Sequence, residues 1–576
     1  MPRYSHDPGE ILTQFETAKN RFNSGHAALV AKLLARLAKS DFRDPHRLIR
    51  FHECLLFLRA FPHAPSHIAR VERLLNTFHV RIEKLRALNA DMSLFDDFDT
   101  SGIAGTTMQD TLSFDVARWL VRRIPRNVEI AWHDYWDDYQ SERARGSIWP
   151  LFIPLLREDA DVEANIPWQR WLDAARGREN PLPWLIRRFE QLPLPDRQRA
   201  ELYDALRLPL RWKLENLEIS RTRNWARPRR FYFHEAPLIQ RCEVSLAHEL
   251  AQRAPQFEKL SVAAGESVMH AIREIMVVRY RELYGTTLGD PRTVLRANLG
   301  RGVVMHFWGL PPARRLPLRA YLAGYTLKNG VPINYIEAIG LCEWIEVGFN
   351  TFYTYRQGET AWIYAQALRC LRALMAAKCI SIYPYQIGQN NDEAIDSGAF
   401  WFYRKLGFRP GRTDLQKLCE KEEEKIAARR EYKTPARILK RLAEAHMFYE
   451  LQPSATKKQP GVWDTFSTRN LALHANRRMA RDFEGNSQEI RQASTAAVAR
   501  ALNINPYRWT LAQQQVLDDW SLLLALVPDL TRWTADEKNQ IVKIIRAKSA
   551  PNEMFYLRQT QHHPRLRREL LRLGSR

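Results

Sequence analysis

The chain has little cysteine, little glycine and no long apolar run. Its six cysteines, Cys54, Cys242, Cys342, Cys370, Cys379 and Cys419, are scattered over 576 residues without a C-x-x-C pair. That spacing excludes a disulfide framework and a cysteine-based zinc site, and it points to reduced thiols in a cytoplasmic protein. No metal site is expected. Only 24 residues are glycine, so repeated tight turns of the all-β kind are not indicated. No uncharged stretch reaches 18 apolar residues, and the richest, Trp520 to Val527, suits one buried helix, so no membrane-spanning helix is expected. The first residues, MPRYSHDPGEILTQF, lack the apolar segment of a secretion signal.

Positive charge is abundant. The formal net charge is +22 and the pI about 9.8, which favours anionic partners such as nucleic acid, acidic lipid or phosphorylated cofactors. The surplus is uneven: residues 413–576 carry 29 Lys and Arg against 19 Asp and Glu, a balance of +10. With 45% hydrophobic and 26% charged residues, the composition is globular, and the length suggests three or four domains.

Helical spacing of apolar residues marks Ile11–Phe22, Ala27–Leu37 and Leu48–Ala60 within a helical N-terminal region, residues 1–90. A turn-rich stretch, Asp91–Thr107, opens a mostly helical region over residues 91–230, with helices expected at Ser113–Arg123, Pro167–Ala175 and Pro183–Gln191. The basic and aromatic segment Arg221–Phe233 follows, with five arginines, Trp225, Phe231, Tyr232 and Phe233. Helical spacing resumes at Glu243–Ala254 and Glu266–Tyr284. Strand-like composition is sustained only in Gly302–Leu310, Leu318–Leu327, Ile333–Leu341 and Trp344–Tyr355. Asn329-Gly330 between two of these is a hairpin signal. A basic helical region occupies residues 413–576, with one or two solvated helices in Lys421–Lys440 and a linker at Gln452–Pro460.

Several small clusters carry less. Asp97-Phe-Asp99-Thr-Ser101-Gly102 has the look of a phosphatase motif but lacks the preceding buried strand, so it reads as an Asp-capped turn. His133-Asp134 with Asp137 and Asp138 lack further ligands and read as a solvated helix surface, and His562-His563 is too sparse a cluster to assign. Arg221–Phe233 and the tail arginines Arg565, Arg567, Arg568, Arg572 and Arg576 have the chemistry to meet nucleic acid by phosphate contact and stacking.

The informative block is Ala320–Pro410: a hairpin, a third strand, a polar turn (Arg356-Gln-Gly-Glu359), a helix (TAWIYAQALRCLRALMAAK), a strand (ISIYPYQI) and a further helix (AFWFYRKLGF). A strand, helix and strand joined by a crossover of this length imply parallel pairing. Asp396-Ser-Gly-Ala399-Phe-Trp-Phe402-Tyr403-Arg-Lys-Leu406-Gly407-Phe408 places Ala399, Phe402, Tyr403 and Leu406 on one helical face, with Gly407 where a positive φ ends the helix.

This segment resembles the N-x-x-A-x-x-F-Y-x-K-x-G-F signature of the GNAT N-acetyltransferase superfamily, with Asp396 in place of Asn, and the resemblance spans roughly residues 296–410. It implies an α+β fold, a GNAT-like mixed sheet with helices on both faces, in a domain of residues 231–412 flanked by mainly helical regions. The family's third strand of this block ends in a bulge that pairs with pantetheine. A loop of pattern [Q/R]-x-x-G-x-[G/A] then wraps the pyrophosphate at a helix N-terminus, where free N–H groups and the helix dipole favour an anion. Here Gly358 fits one register, with Tyr355 and Thr360 departing from it; Arg356 opens a shifted register with Glu359 in the glycine position.

The resemblance therefore implies an acyl-CoA-dependent N-acyltransferase, with acetyl-CoA or another acyl-CoA as donor and an unidentified amine as acceptor. Phe352, Tyr353, Thr354, Arg356, Gln357, Gly358, Thr360, Ala361, Asp396, Ala399 and Phe402 would meet the donor. It assigns Tyr403 as the general acid and Glu346 as the base, with Glu337 on the preceding strand as an alternative, whereas Glu343, an odd number of residues away, would face the opposite side of a regular strand. Two other readings stay open: a tRNA-dependent aminoacyltransferase of the same fold, and a non-catalytic GNAT-like protein that binds nucleic acid or a protein partner.

Overall fold

The structure, a computed structural model, describes residues 7–23, 25–97, 99–136, 142–162, 166, 168–215, 218–429, 431–451 and 461–575. The linker expected at 452–460, and Asp137 and Asp138, lie outside the described residues. Helix outweighs strand, 56% to 12%, in an α+β arrangement with a mixed sheet. Among the described residues no helix is long and apolar enough to cross a membrane.

A small lobe holds β1 (Thr107–Thr111), β2 (Val128–Ile130) and β3 (Pro209–Lys213) in the order β1-β3-β2, all antiparallel. It was not expected in a region read as helical, because a segment such as TMQDT has neither strand propensity nor alternation to signal it. Around it Trp149, Tyr203 and Trp212 form an apolar core separate from that of the main body.

The main sheet has nine strands: β4 (Phe257–Lys259), β5 (Leu295–Asn298), β6 (Val303–Trp308), β7 (Ala320–Lys328), β8 (Val331–Leu341), β9 (Trp344–Thr351), β10 (Cys379–Ile382), β11 (Arg409–Pro410) and β12 (Met447–Glu450). Their order is β11-β12-β10-β9-β8-β7-β6-β5-β4. Every neighbouring pair is antiparallel except β9 and β10, whose parallel pairing matches the expectation from the crossover. Asn329 and Gly330 both take positive φ, 48° and 78°, and make the two-residue turn between β7 and β8. A Cβ on Gly330 would lie 1.9 Å from the Ala226 carbonyl oxygen, so the turn also needs glycine for space.

Although β12 belongs to the sheet, it follows two helices, Thr413–Ala428 and Ala436–Leu442, that interrupt the run from β11. The sheet therefore draws residues from both sides of position 412. The crossover helix, Thr360–Met375, packs on one face, with Tyr364 against Phe349 at 4.9 Å between ring centroids. The helix Val262–Val277 lies over the other face, where Met269 and Trp308 crowd Gly289.

The N-terminal helices Pro8–Ala18, His26–Lys39, Pro45–Ala60, Pro65–Asn76 and Phe78–Ala87 share the main core with the sheet. Pro45–Ala60 starts with a proline at its first turn, capped by Asp44. It is buried on nearly all sides and meets the short turn Tyr353–Tyr355 that follows β9.

Candidate functional site

β10 pairs with β9 only at Trp344, Ile345 and Glu346. From Val347 to Thr351, β9 keeps its ladder to β8 while β10 ends and the chain turns through Pro384–Ile387. The two strands thus part just beyond Glu346 and Ser381, opening a gap between them. The β8–β9 ladder runs without a register shift. The irregularity of this part of the sheet falls instead between Thr326 and Leu327, opposite Pro332. The bulge expected at the end of the third strand is therefore displaced to the hairpin, where proline has no N–H to give the ladder.

Alternation along the strands puts Glu346, Gly348, Asn350, Glu337 and Tyr335 on one face. Glu346 lies 2.9 Å from His446 Nε2 and 3.5 Å from Arg319. The His446 ring stands edge-on to Tyr383, whose hydroxyl accepts from Arg469 at 3.1 Å. One pleat further along the same face, Gln386 covers Gly348, its Nε2 2.9 Å from where a Cβ would stand.

Tyr403 donates to Gln386 Oε1 at 3.5 Å. Its ring packs edge-on against Tyr364 and Phe408, and burial raises the phenol's pKa, so the proton stays on. Gln386 thus links the tyrosine singled out in the sequence to the strand face, at Gly348, that also carries Glu346. His446, Gln386 and Arg319 join them there without any signal in the sequence.

The other carboxylates divide. Glu337 accepts from the Tyr321 hydroxyl, and burial raises its pKa. Glu343 is committed elsewhere, in the turn before β9: Arg567 and Trp463 Nε1 both donate to it, the latter at 2.9 Å.

Tyr403 and Leu406 are buried on the helix Ala399–Lys405 and its end, while Ala399 and Phe402 are half-buried. Phe400, off the face defined by the spacing, is buried as well. Asp396 is exposed at the end of the preceding short helix, and Gly407 has φ 101°, as its place required.

The loop expected to hold the donor's pyrophosphate is tied on all sides. Phe352 is buried beneath the Arg279 guanidinium, 4.1 Å from its ring centroid, and Tyr353 is exposed. Thr354 donates to Glu53 and accepts from Arg221 at 2.8 Å, both buried. Arg356 pairs with Glu393. Gln357 accepts from Lys19 at 3.0 Å. Gly358 faces Phe61, whose Cζ lies 2.6 Å from where a Cβ would be.

Thr360 donates to the Arg356 carbonyl at 3.3 Å, and Ala361 is buried. Glu359, with no exposed surface, accepts from Lys328 at 3.3 Å, from Arg301 and from the Ile239 N–H at 3.2 Å. Burial works to raise its pKa but is outweighed by Lys328 and Arg301, which hold it below the usual carboxylate value.

A coenzyme A pyrophosphate does not fit this loop. A carboxylate already stands at the helix N-terminus, its cations are spent, and Phe61 covers the glycine. Arg221, in the basic segment, is likewise an internal residue, ion-paired to Glu53 at 2.5 Å, whereas Arg227, Arg229 and Arg230 are exposed. Trp225 donates to the Asn329 carbonyl at 3.0 Å, so this segment straps the hairpin turn. The Asp97 turn is capped as expected, Asp99 N–H donating to Asp97 at 2.7 Å. No family model, curated protein or solved structure matches this chain.

Proposed function

We propose that this chain is an N-acyltransferase of the GNAT type, transferring an acyl group directly to an amine in the gap between β9 and β10. The parting of that parallel pair just beyond Glu346, with Tyr403 linked through Gln386 to the same strand face, carries the reading. The order of elements supports it: strand, polar turn, crossover helix, parallel strand and a further helix with the family-like spacing follow in sequence.

Glu346, hydrogen-bonded to His446, is placed to take a proton from the incoming ammonium group. A neutral amine then attacks the acyl carbon. Tyr403, kept protonated by burial, is placed to return a proton to the departing atom of the donor. Gln386 accepts from the Tyr403 hydroxyl, and Arg319 stands 3.5 Å from the Glu346 carboxylate, where it orients that group.

The test is thiol release from acetyl-CoA with lysine, spermidine and a tripeptide amine as acceptors, alongside thermal unfolding with and without the thioester. Amine-dependent thiol release that disappears in Glu346→Gln is the expected result. If no thioester raises the unfolding temperature and none releases thiol, the reading fails, since a ligand that binds only the native state must stabilise it.

A further inference from the structure

The loop from Thr354 to Glu359 stands where an anion would seat, yet its electrostatics are already complete. Glu359 occupies the N-cap position of the helix Thr360–Met375 without a side-chain bond to the helix's own N–H groups, and its carboxylate draws Lys328 and Arg301 into a buried ion cluster. Lys328 also donates to the Arg301 carbonyl at 2.6 Å, which fixes its ammonium away from solvent. His234 stands 3.8 Å from the same carboxylate.

Arg356, the one cation on the loop itself, is engaged by Glu393 and has Asp99 in its field. An arriving pyrophosphate would face Glu393 and Asp99, with Arg356 already engaged by Glu393. Shape agrees with charge. Phe61 lies against Gly358, and Lys19 and Asn20 from the N-terminal helices reach Gln357, so the backbone here is roofed by a part of the chain distant in sequence.

The charge at the gap between β9 and β10 sits at its Glu346 end, where His446 and Arg319 pair the carboxylate. Beyond that end, strand backbone, Gln386, Tyr403 and the half-buried Asn350 are groups suited to a neutral, amide-bearing arm. We propose that the acyl donor is recognised through a pantetheine-type arm alone, and that no pyrophosphate is bound at the N-terminus of the helix Thr360–Met375. This rests on the acyltransferase reading above. Interactions made equally in the ground and transition states show in KM, and those made only in the transition state show in kcat. A pyrophosphate that makes neither leaves kcat/KM untouched.

The experiment compares acetyl-CoA with S-acetylpantetheine as donors for the full chain, with adenosine 3′,5′-bisphosphate as a competitor. A kcat/KM for the two donors that agrees within tenfold, and no competition by millimolar adenosine bisphosphate, is the expected result. A preference of tenfold or more for acetyl-CoA, or competition by the bisphosphate, overturns the inference while leaving acyl transfer in place. Failure of both thioesters as donors overturns the acyltransferase reading and this inference with it.

Discussion

Glu346 and Glu359 stand thirteen positions apart, one on β9 and the other just past its end, and the fold treats them in opposite ways. Glu346 has a neutral-capable partner, His446, a more distant arginine, and a face of the sheet that opens into a gap. Glu359 has no exposed surface and is matched by two cations and a backbone N–H. A carboxylate left with a titratable partner beside an opening can exchange a proton, whereas one matched by buried cations can only hold structure. The fold leaves Glu346 beside the end of β10 and makes the turn after β9 a buried joint with the N-terminal helices.

The largest effect is expected at the joint. Glu359→Ala leaves Lys328 and Arg301 without their counter-charge, and breaking a buried pair by removing one partner costs about 3–5 kcal/mol. Urea unfolding followed by circular dichroism reads this directly. The double variant Glu359→Leu with Lys328→Met should recover most of the loss; if it is less stable than either single variant, the joint is not an ion pair in energetic terms.

Glu346→Gln is the complementary case. Turnover should fall about 10²- to 10⁴-fold, with a change in stability under about 1 kcal/mol, because the carboxylate is partly solvated. A stability loss equal to that of Glu359→Ala would erase the distinction between the two carboxylates. Tyr403→Phe comes next: it keeps the ring packing against Tyr364 and Phe408 and removes one hydroxyl, so turnover should drop about 10²-fold, the lower end of the range for a lost proton donor. Unchanged turnover would reassign Tyr403 to packing.

The smallest effect is pH dependence of stability. Burial lowers the pKa of His234 to about 3 and of His306 to about 4, from 6.5. Below pH 6.5 the unfolded chain therefore takes up protons that the folded chain refuses, and stability declines as pH falls toward 4. Glu359 behaves differently: its depressed pKa makes a contribution present above about pH 4.5, the unfolded value, and lost only as pH falls through the folded one. Between pH 6.5 and 4.5 the decline should come from histidine. Urea midpoints at pH 7.5 and 5.0 for the wild type and His306→Gln check this, the variant being expected to lose less; an equal loss would assign the decline to other groups.

Much of the block around β7 to β10 was legible because its signals are local. Asn329-Gly330 dictates its own turn, and the length of the segment Thr360–Met375 dictates a crossover. The partners of the candidate site were not legible, since His446 is 100 residues from Glu346 and Gln386 lies in a turn with no motif. The short strands β4, β11 and β12 have too few residues to alternate visibly. Arg221 reads as part of a segment able to meet nucleic acid and Glu359 as part of a phosphate loop, and only the fold shows that each meets an opposite charge, Arg221 from a region far away in sequence. The joint between the N-terminal helices and the loop after β9 depends on Phe61, Lys19 and Glu53, none of which announces a partner 300 residues onward.

The late arrival of β12 has a bearing on synthesis. Until residue 450 has emerged from the ribosome, β10 has an open edge of Cys-Ile-Ser-Ile backbone, a template for pairing with other chains. His446 comes with the strand that closes this edge. A nascent or clipped chain ending before it would have the helix Ala399–Lys405 and Glu346 but not the histidine beside it. Completion of the sheet and assembly of the Glu346–His446 pair are thus a single event.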